Sequence, residues 1–282
     1  MLLHQLPDSD IERFLEEDVP YGDLTTSLLG IGEQQGTITF TSRHHTVISC
    51  TEEAGRVLEK CGATVISRLP SGTEVEAGAA FLAASGSAAS LHAGWKVAMN
   101  LLEYASGIAT RTAKVVRTAR SANPGISIVT TRKSFPGTKK VAIKAIMAGG
   151  ALPHRLGLSE TILVFRQHTA FLGGVERFLD QLAPLKARAP ENKVIVEADT
   201  ADEALIIAAA GADVVQVDKM AVGELAILAD EIHRKFPGVK LSAAGGINAE
   251  NAAAYAGTGV DILVLSAVYF GKPADISVVI QP

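Results

Sequence analysis

From residue 126 onward the chain alternates between short apolar runs and alanine-rich stretches of helical period. The runs are 126–129, 162–165, 193–197, 213–218, 240–244 and 261–266, and between them lie helix candidates at 175–187, 201–210, 222–235 and 249–256. Strands alternating with helices make βα units and a parallel sheet. Each run is apolar almost throughout, as expected of strands covered on both faces. Six such runs predict an α/β barrel, open or incomplete, with a doubly wound open sheet as the alternative.

The part before residue 106 reads differently. A helix is expected over 12–18, strands over 36–41 and 46–50, a helix over 51–61, and extended segments over 64–67 and 80–84. Residues 91–120 are helical in pattern, with a break expected at Ser106-Gly107. This is an α+β sandwich module that feeds into the barrel through a helical connector.

Bulk properties exclude several classes. The 282 residues carry a net charge of −4, which argues against a nucleic-acid partner. Two cysteines, Cys50 and Cys61, make no disulfide framework and read as buried free thiols. Acidic residues crowd the start, the reverse of a signal peptide, and no apolar run approaches a membrane span, so a cytoplasmic protein is expected.

Against that acidity, Arg132, Lys133, Lys139 and Lys140 fall within nine positions just after the first apolar run. Such a density of guanidinium and ammonium groups suits phosphates or several carboxylates on one small molecule. Barrel chemistry sits at the C-terminal ends of strands. That rule selects Arg132 and Lys133 after the first run, Glu197 ending the third and Asp218 ending the fourth. Two carboxylates one βα repeat apart, facing cations, suit Mg²⁺ shared with substrate phosphates; each could instead cap the next helix or pair with a cation.

Gly245-Gly246 follows the fifth run and precedes a helix candidate, a place where backbone N–H groups can cradle phosphate. Ser266, after the sixth run, could add a hydroxyl. His154-Arg155 precedes the second run and reads as an anion-binding pair or as a structural one. Lys144, five residues beyond Lys139, reads as a further phosphate contact or a solvated surface lysine. There is no Gly-x-Ser-x-Gly elbow, no zinc spacing and no P-loop.

The residues 17–26 (EDVPYGDLTT), 100–110 (NLLEYASGIAT), Thr131-Arg132-Lys133 with Pro136-Gly137, His154-Arg155-x-Gly157-Leu158, Glu197 and Val217-Asp218 resemble the quinolinate phosphoribosyltransferases, over nearly the whole chain. The resemblance implies an N-terminal α/β sandwich domain over 1–105 with 270–282 added, and an open α/β barrel over 106–269. It also implies a cytoplasmic homodimer with sites between subunits. Arg132, His154 and Arg155 would bind a pyridine dicarboxylate, with Lys96 reaching across the dimer. Lys133 would contact phosphoribosyl pyrophosphate, Glu197 and Asp218 its ribose and Mg²⁺, and Gly245-Gly246 its 5-phosphate; Lys139, Lys144 and Ser266 read from the sequence as further phosphate contacts.

The chain departs from that pattern around the acceptor. A lysine of the family is Phe165 here, an arginine is Lys96, a histidine after the last strand is Phe270, and a serine before the glycine pair is Ala244. Arg166, one residue on from Phe165, would face the other side of a regular strand. With Ser134-Phe135-Pro136-Gly137-Thr138-Lys139-Lys140 and Ile162 to His168, the chain looks most like the ModD branch, associated by name with molybdenum transport. Three readings follow. One is a transferase with an altered acceptor pocket. Another is a working quinolinate enzyme, and the last a non-catalytic oxyanion-binding protein linked to molybdate.

Overall fold

The computed structural model describes residues 4–282. The chain packs as two compact units: one of residues up to Ala113 with Ser134–Gly150 and Val268–Pro282, the other of Lys114–Lys133 and Ala151–Ala267.

The first unit holds a four-stranded antiparallel sheet in the order Ile276–Gln281, Gln35–Ser42, Ala80–Ser87, Thr64–Arg68. Gln35–Ser42 buries Ile38, Phe40 and Ser42 on alternate positions, the period of a sheet with one face on the core. That face packs with Leu58 of the helix Thr51–Lys60 and Leu102 of the helix Ala88–Ala122. The expected strand at 46–50 is only Thr46–Val47, because the backbone turns into a left-handed Cys50 (φ 60°) that opens the next helix.

The expected break at Ser106-Gly107 is absent; Ala88–Ala122 is one helix of 35 residues. Gly107 serves close approach instead: a Cβ there would lie 3.0 Å from the Lys272 carbonyl and the Ala274 nitrogen. The Ala274 N–H donates to the Glu103 carbonyl at 2.9 Å, leading the chain into the final strand.

Ser134–Gly150 packs within the first unit rather than with the barrel that its place in the sequence suggested. Its helix Lys139–Ala148 contributes Val141 and Ala145 to the core, and Lys140 pairs with Asp10 at 2.7 Å. Of the two thiols, both free, Cys50 is buried and Cys61 only half-buried.

The second unit is a parallel sheet of seven strands in the order Leu152–Pro153, Ser127–Thr130, Ile262–Leu265, Lys240–Ala244, Val214–Asp218, Val194–Ala198, Ile162–Val164. The sheet is curled, and because its two end strands do not pair the barrel stays open. Leu152–Pro153 is a strand that periodicity did not reveal, being two residues long. One device recurs at strand starts. Asp213 accepts from the Val194 N–H (2.8 Å) and Asp261 from the Leu241 N–H (2.9 Å), each clamping a neighbouring strand.

The helices Val175–Arg188, Ala201–Ala209 and Val222–Lys235 follow the expected pattern. The last, Ala252–Ala256, starts three residues late, because Asn251 Oδ1 accepts from the Asn248 N–H (2.8 Å) in a side-chain turn. Among the described residues no helix is long and apolar enough to cross a membrane.

Candidate active site

Partnered residues of parallel strands share a face, and every second residue returns to it. Leu163, Ile195 and Val214 are register partners and form one apolar cluster, with Phe165 packed against it. Two residues onward on the same face come Glu197 and Gln216, and then Asp218. Across the sheet the same face carries Ser242 and Ala244, with Thr131 and Ser266 joined hydroxyl to hydroxyl at 3.0 Å. Apolar side chains thus floor the face, and polar ones gather toward the C-terminal strand ends.

Glu197 is half-buried, and its carboxylate accepts from the Gln216 amide at 3.0 Å. Burial raises its pKa, and the charges of Asp218 and Asp199 add to that, against the Gln216 hydrogen bond and the charge of Lys133. A carboxylate pressed by two others is a place where added positive charge is favoured.

Asp218 ends its strand, with Lys219 Nζ at 3.3 Å. The Lys219 N–H donates to the Ala244 carbonyl at 2.8 Å, tying this strand end to the one that carries the glycine pair. Gly245 (φ 86°) and Gly246 (φ 71°) are both left-handed, and a Cβ on Gly245 would overlap the Asp218 carboxylate. The pair does not sit at a helix N-terminus, as expected from sequence: six residues separate Gly245 from the five-residue helix beyond the Asn248–Asn251 turn.

A second, cationic group of residues lies around the strand ends Ser127–Thr130 and Leu152–Pro153. Arg132 and Lys133 are exposed, while Arg155 is buried at 9 %. Burial, then the charge of Arg132, lowers the Arg155 pKa. Burial, then Arg155, lowers that of His154, which keeps the imidazole neutral near pH 7. The His154 backbone N–H donates to the Thr130 carbonyl at 2.9 Å. An anion entering here would relieve a repulsion that the fold has built in.

The second unit thus holds Arg132, Lys133, His154, Arg155, Phe165, Glu197, Asp218, Gly245, Gly246 and Ser266 of the residues read from sequence. Lys96, Lys139 and Lys144 belong to the first unit. Lys96 lays its ammonium 4.2 Å from the centre of the Trp95 ring, and Lys139 is exposed at the start of its helix. Lys144 corrects the sequence reading: it is 1 % exposed, 2.6 Å from Glu53 and 2.9 Å from Glu52. It is neither a solvated lysine nor free for phosphate, because two carboxylates already neutralise it.

Gln216 and Lys219 were missed. A glutamine inside the otherwise apolar run VVQVD, two positions before the candidate aspartate, was the available signal for the first. Nothing short of the backbone angle signals the second.

Among the described residues no cluster of three or more His, Cys, Asp or Glu could enclose a metal. Glu197 and Asp218 still fit a divalent cation that draws its other oxygens from a phosphorylated substrate, the usual arrangement for Mg²⁺.

Comparison with known families decides the affiliation. The model described as quinolinate phosphoribosyl transferase, N-terminal domain, matches residues 23–106, and the C-terminal domain model matches residues 108–279. The chain belongs to the quinolinate phosphoribosyltransferase family. Among its relatives, a Rhodobacter capsulatus protein bearing the name pyrophosphorylase ModD is 42 % identical, over 88 % of this chain and 95 % of that one. The nicotinate-nucleotide pyrophosphorylase [carboxylating] of Mycobacterium leprae is 32 % identical, over 92 % and 91 %. The crystal structure of a NadC deletion mutant superposes with a TM-score of 0.90 at 25 % identity, covering 99 % of each chain. The family shares its two-domain build with this chain from end to end.

Proposed function

We propose that the protein is a Mg²⁺-dependent phosphoribosyltransferase of the ModD type. It would transfer phosphoribose from phosphoribosyl pyrophosphate to the ring nitrogen of a pyridine-like acceptor related to quinolinate, in a homodimer with sites between subunits. The observation that carries this reading is Phe165. It stands at a strand end level with Glu197, packed on Leu163, Ile195 and Val214, where the resemblance leads one to expect a lysine. An apolar ring there fits an acceptor with fewer negative groups, or a larger apolar face, than quinolinate.

The ring nitrogen attacks the anomeric carbon with its lone pair, and the bond from that carbon to the pyrophosphate oxygen breaks with its electrons leaving on pyrophosphate. Positive charge develops at the ribose, where the Glu197 and Asp218 carboxylates stabilise it. Lys133 and the backbone N–H groups of Gly245 and Gly246 hold donor oxygens. Arg132, Arg155 and neutral His154 orient an anionic acceptor group. Mg²⁺, held by Glu197, Asp218 and the donor, would supply charge neutralisation for the leaving group.

Arg166 does not favour quinolinate itself as acceptor. It opens a short helix at Arg166–Thr169, is highly exposed, and lies 3.8 Å from Asp199 rather than beside Phe165. The deciding experiment is calorimetric titration with Mg²⁺–phosphoribosyl pyrophosphate, with and without quinolinate, followed by a pyrophosphate-release assay. Mg²⁺-dependent binding without release from quinolinate supports an altered acceptor. Release with quinolinate makes this a nicotinate-nucleotide pyrophosphorylase despite Phe165. Failure to bind the donor, with binding of molybdate alone, would instead favour a non-catalytic oxyanion carrier.

A further inference from the structure

Only two non-glycine residues among those described have a positive φ: Cys50, buried at a helix start, and Lys219, at 58°. A left-handed backbone is unfavourable for an ordinary residue, because Cβ crowds the following carbonyl oxygen. For Lys219 no packing offsets that cost, since its side chain is 75 % exposed. Strain that survives without packing points to a role at the site.

The geometry specifies the role. The Lys219 N–H is pinned to the Ala244 carbonyl (2.8 Å), so the residue cannot relax away from the strand end. The side chain runs across Gly245, with Cγ 2.5 Å from where a Cβ on that glycine would be. Its ammonium arrives 3.3 Å from Asp218 Oδ2. An exposed ion pair of this kind adds little stability. What it does is place one positive charge on the Asp218 carboxylate.

We propose that Lys219 is a built-in counter-ion of Asp218, competing with a free divalent cation for that carboxylate. The cation would then be taken up together with the diphosphate donor and hardly at all without it. This rests on the reading that Asp218 faces the donor's cation. When a metal–diphosphate arrives, the cation takes Asp218 and the displaced ammonium turns to a diphosphate oxygen.

Mn²⁺ titration of the full-length protein, followed by the electron paramagnetic resonance signal of free Mn²⁺, tests it. Lys219→Asn removes the charge, and asparagine tolerates the left-handed backbone; Lys219→Gly is the second variant should the first fold poorly. Removing one charge beside a divalent cation is worth about an order of magnitude in affinity even in a high dielectric. The expected result is Mn²⁺ affinity at least about fivefold tighter in Lys219→Asn, with the gain lost in Lys219→Asn/Asp218→Asn. Affinity for Mn²⁺–pyrophosphate should fall in the same variant.

Mn²⁺ affinity within about twofold of wild type, a gain that persists without Asp218, or no Mn²⁺ binding by either protein would overturn the proposal. A gain in Mn²⁺ affinity alongside failed binding of Mg²⁺–phosphoribosyl pyrophosphate would sink the transferase reading alone. Donor binding with no effect of Lys219 would sink the counter-ion alone.

Discussion

The Asp218 carboxylate occupies the space that a Cβ on Gly245 would fill. Asp218 ends one strand and Gly245 follows the last residue of its neighbour, and the fold brings them together by ending both strands at the same level. Gly245→Ala should therefore push Asp218 out of place and strain a backbone held at φ 86°. The expected loss of stability is about 1–3 kcal/mol, read by urea unfolding. Binding of Mg²⁺–phosphoribosyl pyrophosphate should weaken at least about tenfold, which is about 1.4 kcal/mol. Retained donor affinity would show that Asp218 does not face the donor.

The ionised Glu197 carboxylate costs the folded protein stability. Its pKa is raised, so the ionised form is disfavoured by folding: the group's contribution is intact below the ordinary 4.5 and is lost as pH rises through the folded value. Glu197→Gln should therefore raise the melting temperature at pH 7, and the gain should vanish below pH 4.5, where the wild-type carboxyl is protonated. Transferase activity should fall sharply in the same variant. Equal melting temperatures at pH 7 would contradict the electrostatic account.

Lys144 and Glu53 form a buried ion pair, at 1 % and 0 % exposure, and the Leu6 N–H also donates to Glu53. Lys144→Met would strand two carboxylates, one of them fully buried, and should cost about 3–5 kcal/mol in urea unfolding. Adding Glu53→Gln should recover much of that, because a neutral amide no longer needs a counter-charge. A loss under about 1 kcal/mol would mean that water reaches the pair.

The neighbouring Glu52 sets an acid limit. Burial pushes its pKa up, but bonds from the Ser71 hydroxyl and N–H and from Lys144 outweigh this and hold it at about 2. A depressed carboxyl contributes stability above its ordinary 4.5 and loses it as pH falls through 2. Wild type and Glu52→Gln should thus differ in urea midpoint at pH 7 and converge between pH 4.5 and 2. Parallel curves over that window would refute the assignment.

Gly107→Ala places a methyl 3.0 Å from the Lys272 carbonyl and the Ala274 nitrogen, both backbone. Overpacking of this kind costs about 1–3 kcal/mol. Hydrogen exchange should show the strand Ile276–Gln281 opening first, since its entry hangs on Glu103. Uniform exchange across the sheet would argue against that weak point.

The alternation of apolar runs with alanine-rich helices determined the parallel sheet, because a strand covered on both faces can tolerate few polar residues. The motif residues around Arg132, His154, Glu197 and Asp218 were legible for a related reason: charged groups at strand ends have no packing purpose to explain them. Tertiary structure decided the rest. Lys144 reads as a surface cation until Glu52 and Glu53, more than ninety positions earlier, close on it. Gly107 reads as a helix break until the backbone at Lys272 is seen to need its missing side chain. Gln216 is placed by its bond to Glu197, and Lys219 by one backbone angle and a pairing with Ala244. Local pattern records which residues avoid water; which charge meets which depends on contacts between positions far apart in the chain, and those exist only once it has folded.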